Sequence, residues 1–133
     1  MAVDLNETAR GALEGKSFWT LATLNPDGSP QATVVWADIR DGRIVVNSAL
    51  GRKKPRNLDH NPEVALAWYD PDNPYSNISI QGRVVDTYTG DQAEADIDAL
   101  AKKYLDQDVY PYRQEGERRV SYLIEPTHVW VRV

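Results

Sequence analysis

The dipeptide Asp41-Gly42 separates two runs rich in β-branched and aromatic residues, QATVVWADIR at 31–40 and RIVVNS at 43–48. Asp-Gly between such runs suits a two-residue hairpin loop, because both central positions tolerate left-handed backbone. A second strong turn, Asn25-Pro26-Asp27-Gly28, closes another apolar run at 17–24. Three consecutive strands are therefore predicted before residue 49, with 31–36 and 43–47 paired. A chain that begins this way is an antiparallel β protein, and it must either pair or curl away its open edges.

The remaining punctuation agrees. Leu5, Ala9, Ala12 and Leu13 fall near one helical face, so a helix is expected within residues 1–15, ended by Gly15. Residues 50–62 read as a short helix with Pro55 in its first turn and Asn61-Pro62 after it. Strands are predicted at 63–69 and 77–87, separated by the breakers of 70–74. Thr89 and Gln92 have capping-box spacing before a helix near 91–105, whose Ile97, Leu100, Ala101 and Tyr104 form a core stripe. An irregular stretch at 106–117 leads to strands at 120–124 and 128–133, divided by Glu125-Pro126. The expected fold is mainly β with flanking helices: a six- to seven-stranded antiparallel barrel over 16–133, in one domain spanning 1–133. A chain of 133 residues builds a modest core. Dimerisation through a sheet face carrying Trp36, Trp68, Tyr69 and Trp130 would relieve that.

Several functions are disfavoured. Twenty acidic residues against fifteen basic ones give a net charge of −5, which does not attract nucleic acid or an anionic membrane. No apolar run is long enough to span a bilayer, and the first residues lack a signal-peptide pattern, so a cytoplasmic location is expected. With no cysteine, disulfides, thiolate nucleophiles and sulfur-bound zinc are ruled out. Neither a nucleophile elbow nor a glycine-rich nucleotide loop occurs. His60 and His128 are far apart and outside any ligand spacing, so no metal site is expected. His60 reads instead as a cation near the end of the short helix. The carboxylates of Asp27, Asp41, Asp70 and Asp72 fall in turns.

One chemical signal remains. Arg52, Lys53, Lys54 and Arg56 crowd the point where a strand runs into a helix, placing cations beside free N–H groups that favour an anion. Ser48 adds a hydroxyl and Asn57 an amide. A solvated basic turn explains the cluster equally well. The other reading is a phosphate seat, with a planar ligand lying along the preceding strands.

The order of these features resembles a known family. Asn25-Pro26-Asp27-Gly28-Ser29-Pro30, the Trp36 strand, Asp41-Gly42, residues 51–58 (GRKKPRNL) and Asn61-Pro62-Glu63-Val64 occur in the sequence of the pyridoxamine 5'-phosphate oxidase-like split β-barrel proteins. Within that superfamily they are most similar to the flavin/deazaflavin oxidoreductases that use coenzyme F420. The likeness runs from about Gly15 onward, through residues 70–75, Gly82-Arg83-Val84, the helix end at Tyr104 and Ile124-Glu125-Pro126.

The resemblance implies a homodimer with cofactor held at the subunit interface. Arg52, Lys53, Lys54 and Asn57 would then bind the phosphate and acidic tail, with Ser48 and Ala49 beside the ribityl chain. Gln31, Thr33, Val34 and Trp36 would border the ring, and Tyr69, Ile80 and Gln81 would touch the same site. Relatives often carry an acidic residue and an arginine where this chain has Ser79 and Gln81, so FMN stands as the alternative to F420. By this likeness, the activity is hydride transfer between the deazaflavin and an electron-poor organic substrate, with no catalytic side chain and no metal. An FMN-binding oxidoreductase and a non-enzymatic cofactor carrier are the alternatives.

Overall fold

The structure, a computed structural model, describes residues 2–132. It contains α1 (Glu7–Glu14), β1 (Trp19–Leu24), β2 (Pro30–Val35), β3 (Asp38–Arg40), β4 (Arg43–Ala49), α2 (Lys53–His60), β5 (Glu63–Asp70), β6 (Asn73–Tyr88), α3 (Asp91–Leu105) and β7 (Arg119–Arg132). The seven strands form one antiparallel sheet in the order β2-β1-β5-β6-β7-β4-β3. Its two edge strands, β2 and β3, are consecutive in the chain and separated only by Trp36 and Ala37. Three Cα–Cα steps of 3.8 Å reach at most about 11 Å. The sheet must therefore curl until its edges nearly meet, which is the geometry of a split barrel.

That corner corrects one expectation. Residues 31–40 do not form a single strand, and 31–36 do not pair with 43–47. β2 pairs with β1, from Trp19↔Val35 to Leu24↔Pro30, whereas β3 pairs with β4 across Asp41-Gly42. Ala37 is pinned at the break: its N–H donates to the Tyr104 hydroxyl at 3.0 Å, and its carbonyl accepts from Lys103 Nζ at 2.6 Å. The backbone groups freed by the corner are thus satisfied by α3.

Other boundaries differ locally. The N-terminal helix starts at Glu7, where Asn6 Oδ1 caps the Ala9 N–H at 2.8 Å; Gly15 ends it as expected. Met1 lies outside the described residues. β6 begins at Asn73, so 70–74 is a tight hairpin, with the Asp72 N–H on Asp70 Oδ1 at 2.9 Å. Thr89 and Gln92 do not form a capping box. Gly90, at φ +78°, is the cap residue of α3, and Gln92 Nε2 reaches Asp96 at 2.9 Å. β7 runs unbroken through Pro126, which pairs with Gly82 beside a bulge: the register with β6 shifts between Gln81 and Gly82 and leaves Thr127 as the extra residue. Val133, the last residue of the expected strand, is outside the described residues.

The barrel is filled by Trp19, Leu21, Ile44, Leu66, Ile80 and Ile124, and α1 plugs it with Ala9 and Leu13, joined by Leu5 from the segment before it. A second cluster packs α3 on the corner through Ile97, Leu100 and Tyr104. Of the rings expected on a dimer face, Trp36 stacks on Tyr104 at 5.2 Å and Trp68 stacks on Trp19 at 6.1 Å. Only Tyr69 and Trp130 are exposed, at 61% and 52%.

Candidate functional site

β4 delivers the chain to the basic segment. Gly51 takes φ +92° in the turn, and α2 then starts at Lys53. Arg52 occupies the cap position but makes no side-chain cap bond, and no acidic residue sits in the first turn. The positive end of the helix is therefore uncompensated within its own segment. Pro55, in that turn, has no N–H to satisfy.

A cavity of about 180 Å³ opens beside this turn. Val34, Val35 and Trp36 form one wall, and Ile97, Leu100 and Tyr110 the other. Its polar lining is Asn47, Ser48, Arg52, Lys54 and Arg119. Ser48 is 4% exposed, and its Oγ has no hydrogen-bond partner among the described residues. A buried hydroxyl normally finds a partner, so this one marks a place where a ligand acceptor or water belongs. Lys54 Nζ donates to Thr33 Oγ1 at 2.9 Å. Burial, with repulsion from Arg52 added, lowers its pKa below the usual lysine value. An ammonium held at a desolvation cost gains when an anion approaches.

Arg119 is oriented from behind. Its Nε donates to Asn47 Oδ1 at 2.9 Å, and its guanidinium lies 5.1 Å over the Tyr110 ring. Asn47 Nδ2 donates to Ser121 Oγ and to the Ala93 carbonyl, both at 3.0 Å. Ser121 Oγ in turn donates to Asp96 Oδ2 at 2.7 Å. Asp96 also receives Arg40, Tyr88 and Gln92. Burial alone would raise its pKa, but Arg40, Ser121, Tyr88 and Gln92 together hold the carboxyl below the usual aspartate value.

The expected residues fall into four groups. Val34, Trp36, Ser48, Arg52 and Lys54 meet at this cavity, with Thr33 joined through Lys54. Ala49 is buried at the end of β4, and Gln31 sits further along β2, 3.5 Å from Thr23 Oγ1. Lys53 and Asn57 instead line a separate opening of about 540 Å³ with Asp27 and Arg56. Both Asn57 amide hydrogens are engaged, by Thr23 Oγ1 at 3.0 Å and Asn25 Oδ1 at 3.1 Å. Tyr69, Ile80 and Gln81 are not brought to the cavity within one chain. Ile80 is fully buried in the core, Gln81 lines a third opening with His128, and Tyr69 projects from β5.

Val35, Asn47, Arg119, Tyr110, Ile97 and Leu100 were missed as lining residues. The one available signal was a charged Glu117-Arg118-Arg119 run leading directly into a buried apolar strand. Among the described residues, no group of three or more His, Cys, Asp or Glu is placed to hold a metal ion, and no helix is long and apolar enough to cross a membrane.

A curled seven-stranded antiparallel sheet with a basic turn feeding a helix is the architecture of the split-barrel proteins. The pyridoxamine 5'-phosphate oxidase family model matches residues 5–132, and the chain belongs to that family. Among solved structures it is similar to an F420 reductase, at 30% identity over 95% of this chain and 98% of that one, with a TM-score of 0.82. A conserved hypothetical protein of Mycobacterium tuberculosis shares the fold at 20% identity, covering 98% and 86% of the two chains with a TM-score of 0.76. So does a Listeria innocua protein provisionally assigned as a pyridoxamine 5'-phosphate oxidase, at 18% identity, 91% and 92% coverage and a TM-score of 0.68. None of the curated proteins compared with the chain matches it in sequence.

Proposed function

We propose that this protein is an oxidoreductase that binds a phosphate-bearing deazaflavin, coenzyme F420, and uses it to reduce an electron-poor organic substrate. The observation that carries the reading is the unpartnered Ser48 hydroxyl, buried among Arg52, Lys54 and Arg119. That donor set suits a phosphate: three cations supply charge, and the hydroxyl and the helix end supply directed hydrogen bonds. The likeness to an F420 reductase supports the choice of deazaflavin over FMN.

The cavity's size bears on assembly. At about 180 Å³ it falls below the roughly 300–1,000 Å³ of a complete small-molecule pocket. It suits the phosphate and neighbouring chain of the cofactor and leaves the ring outside. From its mouth an exposed row crosses the sheet in register: Val34, Thr20, Ala67, Ser79 and Trp130. This row is small-residued up to the indole, with Thr20 and Ser79 alternating with Val34 and Ala67. A second copy of the chain laid over it would complete the pocket and bring Tyr69 and Gln81 within reach of the ring.

The residues of this chain bind and orient. Arg52, Lys54, Arg119 and Ser48 fix the phosphate end, while Val34 and Trp36 exclude water from one side. Among the described residues no carboxyl or imidazole lines the cavity, so positioning is the protein's contribution. When bound, the reduced deazaflavin supplies the hydride.

A ligand at a hundredfold its Kd stabilises the native state by about 2.7 kcal/mol. Saturating F420 should therefore raise the melting temperature clearly, and FMN less. No shift with F420 in a folded sample contradicts the assignment. Binding of F420 without reduction of any enone, quinone or nitro compound would make the protein a carrier.

A further inference from the structure

Three cations line the cavity, yet an acid is bound to two of them. Glu117, on the turn before β7, places Oε1 2.8 Å from Arg119 Nη1 and 3.2 Å from Arg52 Nη2. Its Oε2 accepts the Gln114 N–H at 3.1 Å, and its own N–H returns to the Gln114 carbonyl at 3.1 Å. The carboxylate is thus fixed by a closed turn and is only 7% exposed, whereas Arg52 is 53% exposed. Burial works against its charge, but the Gln114 N–H and the two guanidinium groups outweigh that and hold its pKa below the usual glutamate value. Arg52 and Arg119 therefore face the cavity and Glu117 at once, and an incoming anion must compete for the same donors.

We propose that Glu117 is the resident counterion of the anion seat. It holds Arg52 and Arg119 in place when no anion is bound, and it cancels one of the seat's three positive charges. The remaining two match a ligand with two negative charges there, either a phosphate monoester or a phosphodiester with an adjacent carboxylate. The inference rests on the reading of this cavity as a phosphate site. It adds that the site's charge preference is set by a residue outside the cavity lining.

Glu117→Gln is nearly isosteric and keeps an acceptor for the Gln114 N–H. Wild type and variant are titrated calorimetrically with inorganic pyrophosphate, FMN, F420 and riboflavin, the last lacking phosphate. Removing one unit charge a few ångströms from the ligand should tighten binding of the phosphate-bearing probes by about tenfold. Pyrophosphate should gain most, and riboflavin should not change. If wild type binds F420 or FMN and the variant binds them equally or more weakly, the counterion role is wrong. If neither protein binds any phosphate-bearing probe, the phosphate site itself is wrong and the counterion role falls with it. Should the variant not fold, the Glu117 carboxyl ¹³C shift in wild type decides: it moves on adding F420 or FMN, and a fixed shift overturns the proposal.

Discussion

Asn47 accepts from Arg119 Nε at 2.9 Å with one side of its amide, and with the other it donates to Ser121 Oγ at 3.0 Å. This side chain joins the cavity to the buried Asp96 cluster beneath α3. Asp96 fixes Ser121, Ser121 fixes Asn47, and Asn47 sets the direction of Arg119. A cation of the cavity lining is thereby held by α3, the helix whose Ile97 and Leu100 form a wall of the same cavity.

Asn47→Ala should lower both stability and affinity. Leaving Arg119 Nε without its acceptor, and removing the amide donor to Ser121 Oγ and the Ala93 carbonyl, costs about 1–3 kcal/mol. The freed guanidinium should also loosen phosphate binding. Urea unfolding and a ligand titration on the same sample separate the two effects, and a change in stability alone would remove Asn47 from the positioning of Arg119.

Lys54 makes a pH signature. Its pKa is below the usual lysine value, chiefly through burial and then through Arg52. As pH rises through that lowered value the ammonium is lost, so affinity for a phosphate ligand should fall before ordinary lysines titrate. In the same window the unfolded chain holds more protons than the folded one, so the stability of the ligand-free protein should rise with pH. Lys54→Arg, which keeps its charge, should flatten the affinity profile when binding is followed from neutral into alkaline solution.

Asp96 gives the opposite limb. Its folded pKa is depressed, so its contribution is complete above the unfolded aspartate value and disappears as pH falls through the folded one. Asp96→Asn should be less stable at neutral pH, with a shallower loss of stability on acidification than wild type. Denaturant midpoints across the acid range measure it, and parallel curves would contradict the assignment.

Gly82 sits where β6 and β7 approach at the bulge. A Cβ there would lie 2.7 Å from Ile124 Cγ2 and 2.9 Å from the Glu125 carbonyl oxygen. Because one contact is backbone and the other is a packed core methyl, Gly82→Ala should cost about 1–3 kcal/mol. Thermal unfolding at wild-type values would mean that the bulge can relax.

Local chemistry made much of this legible in advance. Asp41-Gly42 did form the β3–β4 hairpin, Gly15 did end α1, and the 91–105 stripe did pack as a helix. Ser48, Arg52 and Lys54 did meet at one cavity, because strand end, turn and helix start are adjacent in sequence. What escaped depended on distant segments. The break at Trp36-Ala37 is held by Tyr104 and Lys103, which no reading of residues 31–40 contains. Arg119 and Asn47 lie 72 residues apart and meet only through β4–β7 pairing. Asn57, read as an amide donor beside the basic cluster, is buried because β1 and its following turn come to meet it.

The central claim is that the cavity beside α2 seats a cofactor phosphate, and a comparison of Lys54→Ala with Lys53→Ala tests it most directly. Lys54 lines that cavity, whereas its neighbour Lys53 lines a different opening. Calorimetric titration of F420 should show saturable binding to wild type. Affinity should fall at least about tenfold in Lys54→Ala, the loss expected of one close charge-assisted contact, and change much less in Lys53→Ala. Equal effects of the two substitutions, or no binding to folded wild type, would contradict it.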